Sequence, residues 1–147
     1  MNSKFYFVAV CFVAVLAVVK AEQSDEEMKE RGKDMLRNLA QDCKEKEKAS
    51  DDDVESMVED KMPETPVQKC FISCMQQQFG ISDGKTFLKD GFIQISTMIF
   101  KKDEEKQKIA KEVAEECDGT ANEDRCELSV DIWTCVKSAM EKRGITS

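Results

Sequence analysis

The amino-acid sequence predicts an all-α protein, a compact bundle of about six helices cross-linked by three disulfides. Two observations carry that expectation. Six cysteines follow the pattern Cys43-x26-Cys70-x3-Cys74-x42-Cys117-x8-Cys126-x8-Cys135. Every readable segment beyond residue 21 places its apolar residues at helical intervals, without strict alternation. The cysteine spacing already implies an architecture. Cys70 and Cys74 stand at i and i+4, one above the other on a helix face. Cys126 and Cys135 are nine residues apart, and nine steps of about 100° leave them on roughly opposite sides of one helix. A helix cross-linked from both sides is sandwiched between two others.

The first stretch stands apart from the bundle. Lys4 supplies a short positive region, Phe5 to Val19 is an apolar run, and Val19-Lys20-Ala21 offers compact residues at a cleavage site. Residues 1–21 are therefore expected to be a secretory signal peptide, with cleavage after Ala21 or, alternatively, after Ala17. The run is about 15 residues, short of the roughly 20 that a spanning helix needs. Cleavage leaves one helical domain, residues 22–147. It also removes Cys11, so that six cysteines remain. A small secreted chain with six cysteines implies three disulfides, each contributing about 2–4 kcal/mol, and the count alone leaves about fifteen pairings open. Without Lys4 and Lys20 the chain has 20 basic against 30 acidic residues, a net charge of −10. Such a surface argues against nucleic acid and against an anionic membrane as partners.

Each element has its own local signals. Ser24-Asp25-Glu26-Glu27 forms a capping box. Behind it Met28, Met35, Leu36, Leu39 and Cys43 share one face of a first helix that ends between Cys43 and Lys48. Ser50 caps a short second helix with Asp51, Asp52 and Asp53 at its positive end. Pro63 and Pro66 bracket the next break. Thr65-Pro66-Val67-Gln68 then starts a third helix, with a Thr cap, Pro at N1 and Gln at N3, which stops at Gly80. Residues 81–91 look loop-like, with Asp83-Gly84 and Asp90-Gly91 as turn signals. The segment from Phe92 to Phe100 competes between strand and helix because Ile and Phe are frequent. Its lack of alternation and its helical surroundings favour a fourth helix, apolar nearly all round and so buried on several sides. Asp103 caps a fifth helix through Cys117, ended by Asp118-Gly119. Asn122 caps a sixth that carries Cys126, Trp133, Cys135 and Met140 to Gly144.

The chemistry open to this chain is narrow. It has no His, and its one Tyr, Tyr6, lies in the signal segment. The usual general base, the commonest metal ligand and the near-neutral pH switch are all missing. No nucleophile elbow, phosphate loop or metal-ligand spacing appears, so neither an enzyme, a cofactor nor a metal site is expected. Seven Met and five Phe remain in the mature chain. Met is flexible and suits surfaces that accept varied apolar shapes. Core filling explains most of these residues singly. A cross-linked frame also tolerates an internal cavity, and apolar ligand sites are concave and largely preformed. The sequence thus permits a bundle around an apolar internal cavity without requiring one.

The motif Cys70-x3-Cys74 with Cys117-x8-Cys126-x8-Cys135, preceded by Cys43 and a signal segment, closely resembles the six-cysteine insect odorant-binding proteins across essentially the whole mature chain. The resemblance implies the pairs Cys43–Cys74, Cys70–Cys126 and Cys117–Cys135. It implies a secreted, extracellular carrier that binds small hydrophobic or amphipathic molecules, odorants or pheromones, in an internal cavity and takes them through aqueous fluid to receptors. An olfactory receptor and a homodimeric partner are the further partners it allows, and stable membrane insertion is not expected. The pocket implied is lined by Met75, Phe79, Phe87, Phe92, Ile95, Met98, Ile99, Val113, Trp133, Val136 and Met140. Two departures limit the transfer. Without His, a His-dependent release switch is absent. Only twelve residues follow Cys135, so no apolar tail is expected to plug the pocket.

Three alternatives stay open. The same fold also serves to carry lipids or hormones in saliva, haemolymph or reproductive secretions. A saposin-like lipid module is helical with three disulfides, but its cysteine pairs are spaced differently. A structural or signalling disulfide domain would have no cavity.

Overall fold

The computed structural model describes residues 26–145. Seven helices follow one another: α1 (residues 26–39), α2 (Gln41–Glu47), α3 (Asp51–Val58), α4 (Pro66–Gln78), α5 (Lys89–Ile99), α6 (Glu104–Glu116) and α7 (Arg125–Glu141). The expected signal peptide and the Ser24 cap lie outside the described residues. The chain divides into two compact units, Met1–Leu39 and Ala40–Ser147.

Of the first unit, α1 is the described part. Three ion pairs run along it, Glu27–Arg31, Glu30–Lys33 and Asp34–Arg37. Met28 and Met35 are both exposed. The expected first helix, running on to Cys43, is thus interrupted at Ala40, and Cys43 belongs to α2. Neither Gly nor Pro marks the break, and Ala40 is a strong helix former, so nothing local predicts it.

The second unit is built on its caps. At α3, Ser50 Oγ accepts from the Asp53 N–H at 3.2 Å while the Asp53 carboxylate accepts from the Ser50 N–H at 2.8 Å. At α4 the same reciprocal pattern joins Thr65 and Gln68, with Pro66 at the first helical position. Gln68 also donates to Asp53 Oδ1 at 2.9 Å, linking the two caps. Asp103 caps α6 by accepting from Lys106 N–H.

Two expected boundaries move. The first turn of α5 begins at Lys89 instead of Phe92, so Gly91 lies inside the helix and not in a turn. A Cβ there would fall 1.8 Å from the Gly80 carbonyl oxygen. The glycine is needed for close approach between the start of α5 and the end of α4. At α7 the cap is Asp124, whose carboxylate accepts from the Cys126 and Glu127 N–H groups. Asn122, the expected cap, supports it from outside: its Oδ1 accepts from Asp124 N–H, and its amide donates to Asp131.

The helix α7 is the axis of the unit. It packs against α4 and α6, while α5 lies on α6 and α2 on α4. The disulfides are Cys43–Cys74 between α2 and α4, Cys70–Cys126 between α4 and α7, and Cys117–Cys135 between the end of α6 and α7. The sandwich follows directly from the nine-residue cysteine spacing. Phe71 and Met75 centre one core cluster with Cys43 and Val54. Phe87, Phe92, Val113, Leu128 and Ile132 centre the other. Between α4 and α5 the chain is pinned by backbone bonds, from Leu88 N–H to Ile81 O and from Phe87 N–H to Thr120 O.

The helix α7 closes on a left-handed glycine. Gly144 has φ +78°. Its N–H donates to Glu141 O, and the next N–H, of Ile145, donates to Met140 O, a Schellman ending. Arg143 and Lys142 clamp this end to α6, with Arg143 bonded to Glu112 and Glu116 and Lys142 to Glu116. Hydrogen bonds from Lys142 and Arg143 hold the Glu116 carboxyl below its ordinary pKa.

Candidate functional site

The side of α7 that carries Ile132, Trp133, Val136 and Met140 borders an apolar hollow of about 230 Å³. These residues fall at i, i+1, i+4 and i+8, one stripe of a helix. From α5 comes Phe92, from the α4–α5 connection Ile81, from α4 Gln76, and from beyond α7 Ile145. The floor is core material: Ile132 is 2% exposed and Phe92 8%. Phe92 is fixed by a tilted ring contact with Phe87 at 5.7 Å. The rim is charged. Lys137 Nζ lies 2.9 Å from Asp60 Oδ2 and 4.6 Å above the Trp133 ring centroid, and Glu141 stands beside them. The hollow is open to solvent on one side and so differs from a closed internal cavity.

The structure brings some of the sequence-selected residues together here and not others. Phe92, Trp133, Val136 and Met140 line the hollow. Phe87 and Val113 lie behind it as members of the same core cluster. Met75 and Phe79 belong to the other cluster, beside the Cys43–Cys74 bond. On α5, Ile95 is half-buried, whereas Met98 and Ile99 are 54% and 68% exposed. The helix is therefore not buried all round: Phe92 and Ser96 face inward and its last turn faces out.

Several wall residues escaped the sequence reading. Ile132 was findable, because it falls on the same α7 stripe as Val136 and Met140. Asp60 and Ile145 were not, since each reaches the hollow only through the path of a turn. Gln76 was passed over as a polar residue on a helix with no motif. Ile145, the residue after the Schellman glycine, adds one apolar side chain from beyond α7 to the wall.

A second, larger concavity, about 800 Å³, surrounds the Cys43–Cys74 bond. Asp42, Lys46, Glu47, Gln77, Gln78 and Arg125 line it, and Arg125 bonds Glu47 at 2.9 Å. Its polar walls offer little to an apolar molecule. Among the described residues no helix is long and apolar enough to cross a membrane.

A helical frame with three disulfides and an apolar hollow beside its central helix is the context in which comparison with known proteins becomes decisive. The model of the PBP/GOBP family matches residues 25–139. The chain belongs to the PBP/GOBP family. General odorant-binding protein 19d of Drosophila melanogaster is 29% identical to this PBP/GOBP chain over 118 residues, 79% of each. Among solved structures, the odorant-binding protein dmelOBP28a of Drosophila melanogaster matches with a TM-score of 0.65 at 26% identity, covering 80% of this chain and 99% of that one. The fatty acid binding protein OBP56a from the oral disk of the blowfly Phormia regina shares the fold, with a TM-score of 0.60 at 22% identity over 77% of this chain and 95% of its own. The PBP/GOBP proteins are binding proteins, and the all-α, disulfide-linked architecture here is theirs.

Proposed function

We propose that this protein is a secreted carrier that takes up small apolar or amphiphilic molecules in the hollow beside α7 and moves them through aqueous fluid to receptors. One observation carries the reading. Phe92, Ile132, Trp133, Val136 and Met140 form a preformed apolar concavity, and the elements that hold it are tied by disulfides at both ends of the α7 sandwich. Burying apolar ligand surface there is worth about 25 cal/mol per Å² before the cost of association. Taking about 30 Å³ per non-hydrogen atom, the liquid-volume share of one water, a hollow of about 230 Å³ seats about eight such atoms. A longer chain extends out of the open side. The signal-like segment at residues 1–21 supports secretion.

The test uses Trp133, the only Trp in the chain and part of the wall. Titration with the uncharged fluorophore N-phenyl-1-naphthylamine is expected to quench Trp133 and brighten the probe with saturable, single-site behaviour. No uptake by the disulfide-bonded protein overturns the reading.

A second reading keeps the carrier and changes the fluid. A protein of the same fold is a fatty acid binding protein from an oral tissue, which favours a lipid carrier in a non-olfactory secretion. Tissue distribution of the transcript separates the two: antennal enrichment supports the first, salivary or haemolymph expression the second.

A further inference from the structure

Within the mostly apolar wall of the hollow, Gln76 carries a buried polar atom. Gln76 Oε1 is sealed from solvent and has no hydrogen-bond partner among the described residues. The orientation of this amide is fixed by its other end. Gln76 Nε2 lies 3.2 Å from the backbone carbonyl of Ser129. A carbonyl only accepts, so the NH2 must face it and the oxygen must face away. Flipping the amide would set two acceptors against each other. An orphaned buried acceptor is costly, and one that is kept calls for a partner from elsewhere, a water or a ligand. Gln76 is also the neutral wall residue that offers an acceptor among Ile81, Phe92 and Ile132, since the Trp133 indole N–H only donates.

The rim adds a second restriction. Asp60 and Glu141 carry two negative charges against the one positive charge of Lys137, and Lys137 is already bonded to Asp60. A carboxylate entering here meets net negative charge and must break that pair to gain a cation.

Accepting the carrier reading above, we infer that the hollow selects neutral amphiphiles bearing a hydrogen-bond donor, aliphatic alcohols above all, with the hydroxyl donating to Gln76 Oε1. The apolar chain fills the space between α5 and α7. The hydroxyl goes to the wall, and the side chains covering Gln76 Oε1 yield as the ligand enters. Hydrocarbons and ethers of the same length leave the amide oxygen unpaired, and carboxylates meet the rim.

The test compares 1-octanol with 1-methoxyheptane, which has the same atoms other than hydrogen but no donor, and with octanoate. Each displaces N-phenyl-1-naphthylamine from the intact, disulfide-bonded protein at pH 7.5. The alcohol is expected to bind about 3- to 10-fold tighter than the ether, the range set by one net hydrogen bond, and tighter than octanoate. Simple partitioning predicts the reverse order for the first pair, because the ether is the more apolar. The substitution Gln76→Leu is expected to bring the ratio of alcohol to ether affinity down to about one, whatever it does to the affinities of both, because it removes one net hydrogen bond from the alcohol alone. An ether that binds as tightly as the alcohol in the unsubstituted protein overturns the inference alone, as does octanoate binding tightest. Failure of the probe and all three ligands to bind overturns the carrier reading and this inference together.

Discussion

Gly91, in the first turn of α5, lies against the Gly80 carbonyl at the end of α4. In sequence, Asp90-Gly91 has the look of a turn, and on helix propensity alone Gly91→Ala inside α5 would gain up to about 1 kcal/mol. The space denies it, because the new Cβ would overlap the Gly80 carbonyl. Gly91→Ala is expected to destabilise the protein by about 1–3 kcal/mol, the scale of overpacking, read as a lower urea midpoint. A gain in stability would show that α5 does not approach α4 so closely. The same α5 shows why pocket residues are hard to choose from sequence. Its apolar residues spread around the helix, yet Phe92 is buried and Ile99 exposed. Which of them face inward is decided by what α6 covers, and that is invisible in the local pattern.

Elements fared better, because caps are local chemistry. Ser50, Thr65 and Asp103 each announce a helix by a side chain that must accept from N–H groups two or three residues on, and all three do so. The same bonds set the acid response. Asp53 is held below its ordinary pKa chiefly by the Ser50 N–H, Asp83 by the Lys85 and Thr86 N–H groups, and Asp103 by the Lys106 N–H. In the unfolded chain these carboxyls protonate near about 4, before they do so in the folded one. Their contribution is therefore complete above that range and is lost as pH falls through it toward the lowered folded values. No His titrates between pH 7.5 and 6. The urea midpoint and probe affinity are expected to stay level across that interval and to fall only below about pH 4. A drop of several-fold in affinity between pH 7.5 and 6 would contradict this. What the elements concealed was continuity. The break at Ala40 has no capping side chain, so the same kind of reading ran α1 and α2 together.

On the scale of the whole molecule, spacing was the best guide. Cys126 and Cys135 had to leave α7 on opposite sides, and α7 does lie between α4 and α6. The bridges are unequal in what they restrict. Cys70–Cys126 spans 56 residues and Cys117–Cys135 spans 18. Loop entropy assigns them about 4 and about 3 kcal/mol respectively. Replacing Cys70 and Cys126 together by Ser is expected to lower stability more than replacing Cys117 and Cys135 together, as measured by urea denaturation. The opposite order would mean that packing around Cys117, which is buried, outweighs chain restriction. The hollow itself is a whole-molecule property. Its wall draws on α4, α5, α7 and three segments outside the helices, at Asp60, Ile81 and Ile145, and only the α7 stripe was legible as a surface in advance.

The left-handed ending at Gly144 has a practical consequence for anyone preparing the protein. Because it turns Ile145 back into the wall of the hollow, a fusion begun directly after Ile145 would start beside the proposed ligand site. Under the proposed carrier function, a flexible tail there would compete with ligand for the hollow and make the measured affinity weaker.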